Sequence, residues 1–155
     1  MVTIMPADEG KILAQVKELF SEYAAALGCN PCFKNLEQEI AALPGDYSPP
    51  GGSLLVARYD NRVAGCVALK RLDENACEMK RLYVRPEFRG KGIGKALVLS
   101  AVEDARKLGY RHIRLNTLPS MKEAIPLYHF LGFYDIQPYG ATPIPGALYM
   151  EFTIS

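Results

Sequence analysis

The segment Arg89-Gly90-Lys91-Gly92-Ile93-Gly94-Lys95 concentrates residues that could hold an anion. It follows a strand-like run and precedes a helical one. Its glycines let the backbone approach a ligand closely and take positive φ. A helix opening there leaves its first N–H groups without internal partners, and its dipole adds positive potential at the same place. Such a turn suits a pyrophosphate. Two phosphate-binding designs fail on particular residues. A P-loop needs glycine at 89 and Ser or Thr at 96, where the chain has Arg89 and Ala96. A dinucleotide fingerprint begun at Gly90 needs glycine at 95, which is Lys95, and one begun at Gly92 needs a small residue at 97, which is Leu97. A glycine turn with a solvated basic face is the plain alternative, and it explains poorly why cations and glycines cluster at a helix start.

The other reactive side chains are sparse. Cys29 and Cys32 form a lone CxxC, Cys66 and Cys77 stand singly in apolar runs, and the histidines are His112 and His129. Zinc would need two more ligands at suitable spacing. Four reduced thiols and no metal are expected.

The elements that must position the turn follow from periodicity. Val2 to Met5 reads as a strand. Asp8 can cap a helix whose apolar face runs from Ile12 through Val16, Phe20 and Tyr23 to Leu27, ended by Gly28. Phe33, Leu36, Ile40 and Leu43 mark a second helix, stopped at Pro44-Gly45, and 46–52 reads as a loop. Ser53 to Tyr59 and Val63 to Leu72 form a hairpin over Asp60-Asn61. Cys77 to Val84 is a third strand-like run, closed by Pro86. The helix after the glycine turn buries Leu97, Ala101, Ala105 and Leu108 and stops at Gly109. His112 to Leu115 is a strand. Ser120 and Glu123 have capping-box spacing and open a helix through Leu131, inside which Pro126 should cause a kink or a delay. Phe133 to Ile136 and Leu148 to Ile154 complete an α/β domain over residues 1–155. Its mixed sheet has about seven strands, with helices on both faces and a parallel-type crossover from Cys77 to Leu115.

Arg89-Gly90-Lys91-Gly92-Ile93-Gly94 has the form Arg/Gln-x-x-Gly-x-Gly/Ala and resembles the acetyl-CoA pyrophosphate loop of the GNAT acetyltransferases. Glu78 to Pro86 looks like the strand before that loop. Ala124-Ile125-Pro126-Leu127-Tyr128-His129-Phe130-Leu131-Gly132-Phe133 looks like the family's last helix and the strand after it. The order of elements agrees over nearly the whole chain.

The resemblance implies an N-acetyltransferase. Its fourth and fifth strands splay apart, and the pantetheine arm of coenzyme A enters the gap. Leu82, Tyr83 and Val84 would offer backbone groups to that arm, with the amide of Val84 or a neighbour on the thioester carbonyl. Arg89, Gly90, Lys91, Gly92, Ile93, Gly94 and Lys95 would hold the pyrophosphate, and Asn116 would reach the pantetheine amides. Glu78 stands at the offset where several members carry a glutamate base. Tyr128 stands where the family places a tyrosine acid for the departing thiolate. Each has a plain reading as well: a strand glutamate facing solvent, and a core aromatic at helical spacing. His129 is read as a structural or surface residue.

Composition bounds the partners. A net charge of +1 gives no field for nucleic acid or anionic lipid, and 49% hydrophobic with 23% charged residues is ordinary for a globular chain. The N-terminus does not read as a signal peptide and no run approaches the ~20 apolar residues of a membrane span, so the cytoplasm is the expected location. A homodimer is left open. The acceptor side would draw on Asn30, Phe33, Tyr47, Tyr139 and Thr142, without an acidic cluster suited to a polycation. A small-molecule, amino-acid or peptide amine fits that mixture. The rival reading on the same fold is a non-catalytic acyl-CoA sensor.

Overall fold

Asp60 and Asn61 both take left-handed backbone, with φ of 50° and 67°. That is the two-residue turn whose twist matches the strands it joins. It links β2 (Ser53–Tyr59) to β3 (Arg62–Arg71) in the computed structural model, which describes residues 1–7, 10–28, 35–140 and 144–154. Around this hairpin the chain runs β1 (Val2–Pro6), α1 (Gly10–Leu27) and α2 (Leu36–Ala42) before it, and β4 (Ala76–Val84) after it. There follow α3 (Ile93–Lys107), β5 (His112–Thr117), α4 (Ala124–Leu131), β6 (Tyr134–Ile136) and β7 (Leu148–Thr153). Short 3-10 turns lie at Gly45–Tyr47, inside the expected loop, and at Pro86–Phe88.

The strands form one sheet in the order β1-β2-β3-β4-β5-β7-β6. β4 and β5 pair in parallel, and the other neighbours are antiparallel. Both faces are covered. On one, Leu97, Val98, Ala101 and Ala105 of α3 pack with Val67, Met79, Ile113 and Leu115. On the other, Val16, Leu19 and Phe20 of α1 pack with Val56, Cys66, Ala68 and Tyr83. Cys66 and Cys77 are free thiols buried in these layers, whose apolar surroundings push both pKa values up, Cys77 to about 12. Among the described residues no helix is long and apolar enough to cross a membrane.

Two local expectations are corrected. β5 continues through Thr117, so Asn116 lies within the strand instead of ending it. The capping box of Ser120 and Glu123 does not form. α4 starts at Ala124 with Glu123 as N-cap and no side-chain cap bond, while Met121 and Lys122 are used in a preceding turn. Pro126 gives the reason. Its ring excludes a helical carbonyl four residues earlier, at Lys122, and its missing N–H costs nothing at the third position of a helix. The Asp8 cap and Phe33 lie outside the described residues.

Candidate active site

The site begins where the sheet opens. β4 and β5 pair at Ala76 with His112, Cys77 with Ile113 and Glu78 with Arg114, and no further. Beyond this point β4 continues to Val84 against β3, and β5 to Thr117 against β7. The two strands therefore diverge from Met79 onward, as a splay requires.

A bulge at Arg81 aims the diverging part. Arg81 has φ of 60°, and the β3–β4 register shifts between Cys66 and Ala68. The extra residue puts Lys80 and Arg81 on one face in succession and restores alternation beyond them. Leu82 and Val84 join the α3 core, and Tyr83 joins the α1 core. Left-handed backbone at an arginine carries strain. It is held by a bidentate pair in which Arg81 Nε and Nη2 each donate to Glu39 of α2 at 2.9 Å. Burial would raise the Glu39 pKa, but the bonds and charge of Arg81 hold it below the ordinary value.

A cleft of about 600 Å³ occupies the opening. Leu82, Tyr83 and Val84 form one wall, Tyr23 and Leu27 of α1 a second, and Met121, Ala124 and Leu127 a third. The glycine turn closes its end. Gly90 and Gly92 have φ of 80° and 78°, and a Cβ at either would meet nothing within 4 Å, so the turn presents bare backbone. The helical bond from the Ala96 amide to the Gly92 carbonyl leaves the amides of Ile93, Gly94 and Lys95 without intrahelical acceptors. Ile93 is itself buried and anchors the helix start in the core. Arg89 lines the cleft and donates from Nε to the Val84 carbonyl at 3.0 Å, which ties the turn to the end of β4. Lys91 and Lys95 do not line the cleft. Their ammonium groups lie over the rings of Tyr59 and Phe130, at 5.2 and 5.4 Å from the centroids.

Glu78 is 8% exposed. Its Oε2 accepts the Tyr139 hydroxyl at 2.7 Å, and Lys80 Nζ lies 3.7 Å from Oε1. Burial, then the Glu78 charge, pushes the Tyr139 phenol far above its usual range, so Tyr139 acts as a fixed donor. Tyr128 is the buried residue of α4, with its ring 5.6 Å from that of Phe133. Burial, followed by Tyr23, raises its pKa. Neither Glu78 nor Tyr128 forms part of the cleft wall; Tyr128 is adjacent in sequence to Leu127, which does. His129 is half-exposed and bonds Asp135.

A second, smaller cavity of about 70 Å³ adjoins the cleft. The two share Tyr23, Leu27 and Met121 as walls, and the small one adds Lys80, Arg81, Asn116 and Thr117. Asn116 thus faces this cavity. Of the expected acceptor residues, Tyr139 reaches Glu78, while Tyr47 is a core ring 6.2 Å from Phe20 that hydrogen-bonds Glu39. Asn30, Thr142 and the Cys29/Cys32 pair lie outside the described residues. Sequence reasoning passed over Tyr23, Lys80 and Met121. The signal for Lys80 was present: consecutive cations at 80 and 81 are out of place in a buried strand. Among the described residues no cluster of His, Cys, Asp or Glu could hold a metal ion.

Residues 13–133 match the family model of the acetyltransferase (GNAT) family. An uncharacterized N-acetyltransferase of Schizosaccharomyces pombe is 41% identical over 92% of this chain and 89% of its own length. The N-acetylaspartate synthetase of Danio rerio is 35% identical over 72% of this chain and 40% of its own length. A GNAT family acetyltransferase from Elizabethkingia anophelis, solved with acetyl-CoA bound, superposes with a TM-score of 0.71 at 21% identity, covering 99% of this chain and 98% of that one. With a family match across most of its length and a close relative covered almost end to end, this chain belongs to the GNAT acetyltransferase family.

Proposed function

We propose that this chain transfers an acetyl group from acetyl-CoA to a primary amine by direct attack within a ternary complex. The observation that carries the reading is the splay of β4 from β5 with the bare glycine turn at the end of the cleft it opens. The donor set fits the group. Backbone amides at the turn suit a pyrophosphate, and the diverging edge of β4 suits an amide-bearing arm. In this reading Leu82, Tyr83 and Val84 pair with the pantetheine, and Gly90, Gly92, Ile93 and Gly94 receive the phosphates. Arg89, Lys91, Lys95 and Asn116 are auxiliary donors, of which Lys91 and Lys95 must turn from their aromatic neighbours to contribute.

Acetyl-CoA, when bound, supplies an activated acyl group. The chain's own residues supply the rest. A β4 amide near Val84 donates to the acyl oxygen as charge develops, a fixed contribution typically worth ~3–4 kcal/mol. Tyr128 holds a proton on its hydroxyl for the departing sulfur. Glu78 takes the amine's proton through one water, oriented by Tyr139 on its other oxygen. The likeness to N-acetylaspartate synthetase favours a small amine acceptor.

Acetyl-CoA at about 100 times its Kd is expected to raise the melting temperature by ~5–10 °C, the mass-action gain for a domain of this size. Differential scanning fluorimetry reads this directly, and the absence of any shift at millimolar acetyl-CoA would sink the central claim. Glu78→Gln is expected to lower turnover about tenfold or more, since the amide keeps the shape but cannot accept the proton. An unchanged turnover would return Glu78 to a structural role.

A further inference from the structure

We infer that the amine this chain acetylates carries a carboxylate, and that Lys80 is the cation that receives it. This rests on the acetyl-transfer reading and names the substrate class for its acceptor side.

One ion pair on this face of the sheet is held without a hydrogen bond between its partners. Arg81 is taken up by Glu39 through two bonds of 2.9 Å. Arg114 donates to Glu151 at 2.8 Å. Glu78 accepts from Tyr139 at 2.7 Å and stands opposite Lys70 in the β3–β4 register. Lys80 Nζ forms an ion pair with Glu78 Oε1 at 3.7 Å that is too long for a hydrogen bond, and among the described residues nothing accepts a hydrogen bond from its ammonium group. Yet its side chain is only 25% exposed. A lysine so placed keeps donor capacity that the Glu78 carboxylate does not fill. Burial first, then the Arg81 charge, lowers its pKa, against the opposing charge of Glu78.

Lys80 lines the small cavity together with Asn116 of β5, whose side-chain amide is able to donate a second bond. A carboxylate is the group that completes both. The cavity meets the large cleft along Tyr23, Leu27 and Met121, so a carboxylate anchored at Lys80 keeps the remainder of a small amino acid next to the space where the acyl group would enter. A neutral amine brings no anion to Lys80. A polycationic one meets Lys80, Arg81, Lys70 and Arg114, with the nearby carboxylates of Glu39, Glu78 and Glu151 already engaged.

The test uses the standard amino acids and β-alanine, each paired with its own carboxamide, at saturating acetyl-CoA, read as free CoA thiol. At least one carboxylate should exceed its carboxamide by about 30-fold or more in kcat/KM, the scale of removing one partner from a buried charge contact. Lys80→Met should erase that difference by lowering the carboxylate's kcat/KM to near the carboxamide's, while acetyl-CoA still raises the melting temperature. Lys80→Arg should retain part of the preference. Should the Met variant fail to fold, Lys80→Gln serves for the same comparison. Equal wild-type rates on acid and amide, or an equal loss on both in the variant, would overturn the assignment. So would acetylation confined to amines outside the carboxylate set. A protein whose melting temperature ignores acetyl-CoA would instead overturn the acetyl-transfer reading on which this one stands.

Discussion

Gly94→Val is expected to weaken acetyl-CoA binding by about 100-fold, roughly 2.7 kcal/mol, while the melting temperature of the free protein stays within about 2 °C of wild type. Position 94 separates the two quantities because its backbone is helical. A Cβ built there meets Val84 Cγ2 and Leu127 Cδ2 at 3.8 Å each, which is ordinary contact. Valine in the first turn of α3 is no worse for the helix than glycine, so the fold has no reason to weaken. Gly94 lines the cleft between the end of β4 and the wall formed by α4, so two further methyls are expected to narrow it. That is the space a pyrophosphate needs to reach the amides of Ile93, Gly94 and Lys95. Gly92→Val makes the instructive contrast. Its φ of 78° imposes about 1–2 kcal/mol of backbone strain on any side chain, so both stability and binding should fall there. Isothermal titration beside thermal melting reads the pair. A Gly94→Val protein that binds acetyl-CoA like wild type would show that the turn is not the anion site.

The contrast between positions 92 and 94 also marks what could be read before any coordinates. Glycines at a strand-to-helix junction announce a backbone-lined turn, and the hairpin at Asp60-Asn61 announces itself by the same chemistry. The pairing of β2 with β3 follows from such local rules. The splay of β4 from β5 does not. It came only with the family resemblance, because residues Met79 to Val84 read as a continuous strand whichever neighbour they pair with. The bulge at Arg81 is equally silent, since nothing in the type of residue 81 marks left-handed backbone. Its cause is distant in sequence, a glutamate on α2 that locks the guanidinium from 42 residues away. The small cavity is lined by Lys80 and Arg81 at that bulge and by Asn116 of β5, residues that spacing alone could not bring together. The start of α4 was misplaced for a nearer reason: Pro126 outweighs a capping box because a steric exclusion is stronger than a surface hydrogen bond. Charge was misread in a third way. Lys91 and Lys95 belong to the turn in sequence, but their long side chains settle on Tyr59 and Phe130, and of the three cations of the turn Arg89 alone lines the cleft.

Tyr128→Phe is expected to slow acetyl transfer by about 100-fold in a single turnover while leaving acetyl-CoA affinity within about twofold of wild type. The ring is 4% exposed and packs on Phe133, and phenylalanine keeps that packing, so α4 and the cleft wall at Leu127 should stay in place. Only the hydroxyl is removed. Burial, then the neighbouring Tyr23, holds its pKa well above the usual phenol value. The group therefore remains protonated through every working pH. It can act only as a donor, and it adds no limb of its own to the pH profile. A donor needed by the departing sulfur contributes in the transition state and not in binding, which is why the loss should fall on the rate. Tyr23 is the necessary control. It borders both the cleft and the small cavity, its own pKa is raised chiefly by burial, and its hydroxyl contacts the Met121 sulfur at 3.8 Å. Rapid-quench measurement of Tyr128→Phe and Tyr23→Phe with one acceptor distinguishes the two phenols. A full rate in the first with a large loss in the second would move the acid from α4 to α1. Full rates in both would mean that the sulfur leaves as the thiolate, with catalysis resting on the β4 amides and on the positioning that the Arg81 bulge imposes.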